Sequence, residues 1–180
     1  KTFFGLPLSM TLPNGQPINA VYGFSMAMFR AIDTYNPDFL CVCLDRREPT
    51  FRHAMYPEYK GHRTPPPEEF ISQIPLLKTI LTSFGVVMVD QSGFEADDLL
   101  GTFSKMGEKE DYSVLVMTGD QDAFQLVSEN VVVVTNQKGT TDLLEYTPDK
   151  VFEKINVTPS QVVDFKAMKG DASDNIPGVK

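Results

Sequence analysis

The sequence predicts an α/β fold, with a mostly parallel sheet flanked by helices. Three observations carry that expectation. Apolar runs of strand length alternate along the chain with stretches of helical periodicity. One of the runs, FLCVCL, is continuously apolar, as in strands covered on both faces. Acids then follow the runs: Asp45 after FLCVCL, Asp90 after VVMV and Asp120 after YSVLVMTG. Those are the carboxyl ends of strands, where parallel sheets bind their ligands.

The elements follow in order. KTFFGLPLSMTLPNGQ reads as a loop with no strand before it. An α/β sheet usually begins with a strand, so the chain reads as a piece lacking its first one. Residues 18–35 form a helix: Val21, Phe24, Met28 and Ile32 recur at helical spacing, Asn19 is placed to cap it and Pro37 follows its end. FLCVCLD (39–45) is the first strand. Cys41 and Cys43, the two cysteines of the chain, share one of its faces and are read as reduced core residues in a reducing setting. Residues 46–67 are basic, aromatic and finally PPP, which predicts an irregular or mobile region.

A second helix is expected over 68–84, with Phe70, Ile74, Leu77, Leu81 and Phe84 on one face and Pro75 bending it or delaying its regular part. VVMVD (86–90) is a strand and EADDLLGTFSKM (95–106) a helix, entered through a sharp turn at Gly93. YSVLVMTGD is a strand leading to a short helix, DAFQLV, for which Asp122 is a candidate N-cap. NVVVVT (130–135) is a strand, followed by a polar turn QKGTTD. Thr147-Pro148 and Thr158-Pro159 each set a hydroxyl before a proline at a helix start. GDASDNIPGVK then ends the chain without room for another element.

With 180 residues and 42% hydrophobic content, the chain suffices for one core, or one domain and a small appendage. No apolar run approaches the ~20 residues of a membrane helix. The formal charge of −8 at first argues against a polyanionic partner. Eight carboxylates, however, are concentrated in a few places: Glu95, Asp97 and Asp98 in GFEADDLL, Asp120 and Asp122 in TGDQD, Asp171 and Asp174 in GDASDNIPG, and Asp45. These eight alone account for −8, so the remainder balances.

Crowded carboxylates repel and raise one another's pKa, and folds tolerate them mainly around cations. Oxygen donors with no His or Cys beside them point to Mg²⁺ or Mn²⁺. The competing readings are ordinary: acids at a helix N-terminus stabilised by its dipole, or capped turns. Three acids within four positions exceed what the dipole requires, whereas TGDQD and GDASDNIPG taken singly leave both readings open. EF-hand spacing is absent. Opposite in sign, Arg46, Arg47, Arg52, Lys60 and Arg63 fall in one short segment with His53, His62, Phe51, Tyr56 and Tyr59. That mixture suits phosphate contacts with stacking on bases, and equally a solvated loop. The two histidines read as surface residues.

Taken in order, LDRREPTFRH, YPEYKGHRTPPPEEF, QIPLLKTIL, GFEADDLLGTF, TGDQDAFQLV and GDASDNIPGV resemble the 5′→3′ exonuclease domains of bacterial DNA polymerase I. Those domains belong to the flap endonuclease family, relatives of PIN-like nucleases, and the resemblance spans the chain. It implies a Rossmann-like (PIN-like) sheet with an arch over the active site. Residues 1–168 would be the nuclease domain without its first strand, whose Asp-Gly supplies a further metal ligand. Residues 169–180 would open a helix–hairpin–helix DNA-binding region.

The resemblance further implies that Glu95, Asp97, Asp98, Asp120, Asp122, Asp171 and Asp174 hold two or more Mg²⁺ or Mn²⁺ ions, with Asp45 at the reacting centre. Lys60 and Arg63 match the basic pair that approaches the scissile phosphate, and Arg52 belongs to the same wall. Arg46 and Tyr59 join Arg52, Lys60 and Arg63 as DNA contacts. The expected function is metal-dependent hydrolysis of DNA phosphodiesters at 5′ ends or flaps in replication and repair. The expected setting is a monomer in the cytoplasm, nucleoid-associated, with a polymerase region following in the same chain. One rival is a DNA-binding module without catalysis in this form. Another is an Asp-rich phosphatase, although Asp120-Gln121-Asp122 comes late for its nucleophile motif.

Overall fold

The computed structural model describes residues 2–136 and 142–179. In chain order the elements are α1 (Thr2–Gly5), α2 (Asn19–Tyr35), β1 (Cys41–Cys43), α3 (Phe51–Met55), α4 (Glu68–Ile71), α5 (Ile74–Ser83), β2 (Val87–Val89), α6 (Ala96–Lys109), β3 (Val114–Met117), β4 (Val131–Asn136), β5 (Leu143–Tyr146), α7 (Pro148–Ile155) and α8 (Val162–Lys169). Single 3-10 turns cover Gln121–Leu126 and Pro159–Gln161. The fold is α/β, as expected. No helix among the described residues is long and apolar enough to cross a membrane.

The chain forms two compact units, Lys1–Val42 with Thr64–Val89, and Cys43–Arg63 with Asp90–Lys180. In the first, β1 and β2 make a two-stranded sheet. A two-stranded sheet cannot cover both faces of its strands. Cys41 is therefore exposed and Cys43 half-buried, instead of lying in a core.

The first unit is organised around a buried amide pair. Gln73 is 1% exposed and Asn19 fully buried. Gln73 Oε1 accepts from the N–H groups of Ala20 (2.8 Å) and Val21 (3.3 Å), orphan donors of the first turn of α2. Its Nε2 donates to Asn19 Oδ1 (2.9 Å) and to the Glu69 carbonyl (2.8 Å). Asn19 in turn donates to the carbonyls of Phe3 and Leu6, so it ties down α1 instead of capping α2. Pro75 falls at the start of α5 and separates it from α4, so the expected helix over 68–84 is two.

In the second unit β3 and β4 pair in parallel, from Val114↔Val131 to Met117↔Val134, and β4 and β5 pair antiparallel, from Val133↔Tyr146 to Asn136↔Leu143. Three valines of β4, Val131, Val133 and Val134, are 0–1% exposed. Val131 and Val133 cluster with Val116, Phe124, Val151 and Val162, while the Phe124 and Tyr146 rings meet at 4.6 Å. α6 lies close on β3, because a Cβ on Gly107 would stand 2.7 Å from a Val114 methyl. β5 is an addition to the expected elements. The expected turn over 137–142 lies outside the described residues, apart from Asp142.

The segment expected to be irregular over 46–67 is turns and irregular backbone apart from one short helix, α3. Thr50 and His53 form a capping box that starts α3. The loop after α3 is seated on the loop 171–176. Lys60 N–H donates to the Asp174 carbonyl (3.0 Å), Asn175 Nδ2 to the Glu58 carbonyl (3.0 Å) and Tyr56 O–H to the Asn175 carbonyl (3.1 Å). Lys60 itself takes φ 54°, an uncommon left-handed conformation for a side-chain-bearing residue.

Candidate functional site

All the candidate site residues lie in the second unit. α6 begins with Glu95 as N-cap, in a reciprocal box with Asp98, whose Oδ2 accepts the Glu95 N–H at 2.9 Å. Asp45 reaches the same helix start and accepts the Ala96 N–H at 2.8 Å. Asp97, on the first turn, makes no hydrogen bond or ion pair among the described residues. Partial burial, then the charges of Asp120, Asp45 and Glu95, push its pKa up to about 6, with Lys60 opposing. Asp97 still shows its surface to water, so the three acid neighbours are the firmer cause.

Cations separate the remaining acids. Arg52 on α3 grips Asp98 with both guanidinium nitrogens, each at 2.7 Å, and stands 3.9 Å from Glu95. This fork holds Asp98 below its ordinary value. Lys60 Nζ lies 2.8 Å from Glu95 Oε1. Arg63 pairs with Asp174 and donates to the Ser173 carbonyl at 3.1 Å. Tyr59 O–H lies 3.0 Å from Glu95 and 3.1 Å from Asp174, so one hydroxyl joins two of the acid clusters. At Asp120 the carboxylate accepts the Asp122 N–H (3.0 Å). Asp120 is thus the cap of the 3-10 turn, the role expected of Asp122.

Lys166 on α8 completes the arrangement, 2.8 Å from Asp122 and 2.6 Å from Asp171. Against the upward push of partial burial, Lys166 and Ser173 hold Asp171 down at about 2. The carboxylates therefore follow one another around a ring: Asp174, Tyr59, Glu95, Asp97, Asp120, Asp122, Lys166, Asp171, and back through the 171–174 turn to Asp174. Two glycines fasten that last turn. Gly170 sits at φ 77° and ψ 178°, and a Cβ there would overlap the Gly178 backbone; one on Gly178 would overlap the Lys169 carbonyl.

Most of the acids and bases singled out in the sequence are thus neighbours. Tyr59 is a correction: only 5% of it is exposed and its hydroxyl is committed to two carboxylates, so its ring is not open to stack on a base. Arg46 pairs with Glu48 and Asp90 and not with an acid of the ring. Lys166 was not anticipated. Its signal is its place five residues before Asp171, one helical turn and a cap upstream of an acid pair. Beside the ring opens a cleft of about 240 Å³ that runs from Asp45 and Glu95 to Arg47, Thr50, His53 and Phe94.

The donor set fits hard divalent cations: carboxylate oxygens alone, one of them held near pKa 6 by its neighbours. Among the described residues no three acids stand close enough to form a finished metal cage. Their oxygens face Arg52, Lys60, Arg63 and Lys166 instead.

The chain is 42% identical over 180 residues to DNA polymerase I of Mycobacterium tuberculosis, and 40% over 179 residues to that of Bacillus subtilis. Each match covers 99% of this chain and 20% of the relative, so the chain spans about a fifth of the length of those polymerases. Among solved structures it resembles the T5 5′-exonuclease with divalent zinc ions bound, at TM-score 0.71 and 25% identity over 89% of this chain and 62% of that one. It equally resembles the bacteriophage T5 flap endonuclease in a pseudo-enzyme–product complex with DNA and metal ions, at TM-score 0.71 and 26% identity over 89% and 61%. The family model of the 5′-3′ exonuclease N-terminal resolvase-like domain matches residues 1–156. With that match and two relatives at 40% identity or more, the chain belongs to the 5′-3′ exonuclease family.

Proposed function

We propose that the protein of which this chain is part hydrolyses DNA phosphodiesters at 5′ ends or flaps, using Mg²⁺ or Mn²⁺ held by the carboxylate ring. The observation that carries the reading is Asp97, held near pKa 6 among Asp45, Glu95 and Asp120 on the first turn of α6. A soluble fold gains nothing from placing four acids so, unless a cation completes them. Membership of the family and the likeness to metal-bearing, DNA-bearing nucleases support it.

Asp45, Glu95, Asp97 and Asp120 are the ligands assigned to one metal position, and Asp122, Asp171 and Asp174 those assigned to a second. Bound there, divalent ions supply an activated water and neutralise the leaving oxygen. The chain's own groups do the rest. Lys60 and Arg63 offer ammonium and guanidinium donors to the phosphate oxygens and stabilise charge developing there. Tyr59 fixes the spacing of Glu95 and Asp174, and Arg52 fixes Asp98, whose oxygens are fully occupied. Asp98 is therefore assigned a supporting place, holding Arg52 and the helix cap. Residues 169–180 would present the start of a DNA-gripping region, whose 170–178 turn is fastened by Gly170 and Gly178.

The test uses the full-length protein on a 5′-flap DNA in Mg²⁺. Asp97→Asn and Lys60→Ala should each lower the single-turnover rate by about 10²–10³. Cleavage by either variant at the parental rate would remove the assignment. DNA binding with no cleavage by the parent itself would favour a binding module.

A further inference from the structure

The cleft beside the ring contains two groups that the assigned roles leave unused. Arg47 is exposed and, among the described residues, makes no hydrogen bond or ion pair, unlike the four cations held in the ring. His53 lines the same cleft, with its ring held by the cap of α3. The Thr50 N–H lies 3.1 Å from His53 Nδ1. Nδ1 accepts from that amide and also faces the Thr50 hydroxyl at 3.0 Å, which leaves Nε2 as the donor of the ring. The cap that starts α3 thus sets a donor at Nε2, on the ring edge opposite the cap. The Tyr59 ring, packed nearly perpendicular at a 5.3 Å centroid distance, restricts tilting of the imidazole.

The cleft's shape and charge select the ligand. Asp45 and Glu95 of the ring line the cleft together with Arg47 and His53, and the half-exposed Phe94 supplies an apolar wall. Glu48 and Arg46 pair with each other, and Lys60 with Glu95. Among the described residues Arg47 is the cation of the lining that makes no ion pair, and His53 adds one N–H donor. One cation free of an ion pair and one N–H donor match a monoanionic phosphodiester better than a dianionic terminal phosphate. A space of about 240 Å³ is of the size of a single sugar–phosphate unit with part of its base.

We propose that this cleft is a subsite for one internal phosphodiester unit of the DNA strand next to the scissile bond, held by the Arg47 guanidinium and the His53 Nε2–H, with Phe94 against the sugar or base. The inference rests on the nuclease reading above and assigns two residues that it left without a role. The role assigned to the subsite is positioning of the strand.

The experiment uses the full-length protein and 5′-flap DNAs, each carrying one neutral methylphosphonate linkage at a different position near the cleavage point. Single-turnover rates are followed against protein concentration. Arg47→Ala and His53→Asn should raise the half-saturating concentration about tenfold each, with most of the loss there instead of in the maximum rate. The Asn oxygen takes the place of Nδ1 and keeps the cap, while the Nε2–H is lost. His53→Gln restores an N–H near Nε2 and loses the cap, so it should weaken thermal stability more than His53→Asn does. One methylphosphonate position should weaken the parent about tenfold and add nothing to Arg47→Ala, because the contact is already gone.

Additive penalties at every position, or parental half-saturation in Arg47→Ala, would overturn the subsite. Should His53→Asn not fold, the Arg47 arm decides alone. A parent that cleaves no flap sinks the nuclease reading; a parent that cleaves while Arg47→Ala behaves identically sinks only this inference.

Discussion

Gly178→Ala is the substitution whose consequence is fixed most narrowly by geometry. No unusual φ is involved at this position, so the whole effect is steric. The added Cβ would overlap the Lys169 carbonyl oxygen and lie 2.6 Å from its carbon and 2.7 Å from the Met168 oxygen. These are backbone atoms of a helix end, which no rotamer change can move aside. Ordinary contact needs about 3.4 Å or more, so the two segments must part by roughly 1 Å. Three backbone bonds span the gap, all at 2.8 Å: Val179 N–H to the Met168 carbonyl, and the reciprocal pair between Asp171 and Ile176. At about 1 kcal/mol net each, their loss is worth about 3 kcal/mol, equivalent to roughly a hundredfold rise in local opening. Amide exchange in the full-length protein should accelerate about that much over residues 168–179, with β4 unaffected. Asp171 and Asp174 ride on this turn, so cleavage of flap DNA should fall with it. Unchanged protection over 168–179 would refute the steric argument.

Three further perturbations test separate parts of the structure. Asp97 has its pKa raised from 3.8 to about 6 in the folded chain, so its contribution to stability is present below 3.8 and lost as pH rises through 6. In chelator-treated protein, Asp97→Asn should therefore raise the melting temperature at pH 7–8 and lose that advantage below about pH 4; an equal gain at both pH values contradicts the cause. Lys166→Gln leaves Asp171 facing Asp122 with no cation between them, and the Asp171 pKa, now about 2, should climb toward or past its ordinary value in a carboxyl NMR titration. The stability tied to that depressed pKa is present above 3.8 and lost toward pH 2, so the deficit of the variant should vanish in strong acid. Gln73→Leu strands the Ala20 and Val21 N–H groups and the Asn19 oxygen inside the first unit, a cost of about 2–4 kcal/mol; a melting temperature within a degree of the parent would show that the amide network is dispensable.

What the sequence revealed and what it concealed divide along physical lines. The helix from Asn19 to Tyr35 and the valine run of β4 were legible because their apolar spacing has one solution. The eight acids were legible because their crowding is anomalous in any fold. The Gln73–Asn19 pair was not, since two amides 54 positions apart carry no periodic signal, and a residue suited to capping was used to hold a loop. Tyr59 was misread for a related reason. Beside Lys60 and Arg63 an aromatic ring suggests stacking, yet its hydroxyl serves carboxylates contributed by α6 and the 171–174 turn. β5 offers LLEY, too short and too irregular to show alternation, and it is recognised only once β4 presents an edge. The cysteines were assigned to a core on the strength of an apolar run whose strand turned out three residues long.

The charge of the ring explains why such different segments meet. The six carboxylates of the ring with Asp45 and Asp98 beside them carry −8, and Arg52, Lys60, Arg63 and Lys166, drawn from α3, the loop after it and α8, return +4. The balance of −4 is the charge that two divalent ions would neutralise. Each of these cations touches acids from a different segment: Arg52 and Lys60 address α6, Arg63 the 171–174 turn, and Lys166 two segments at once. Every basic contact is therefore also a tertiary contact, and removing one both raises the repulsion and releases an element. Ion pairs elsewhere, such as Lys105 with Glu108, are worth little by comparison, because they join neighbours on one helix and the lysine is exposed. The difference is measurable. Salt should weaken the Lys105–Glu108 pair strongly, while the mutually screened ring loses its order only when one of its own cations is removed.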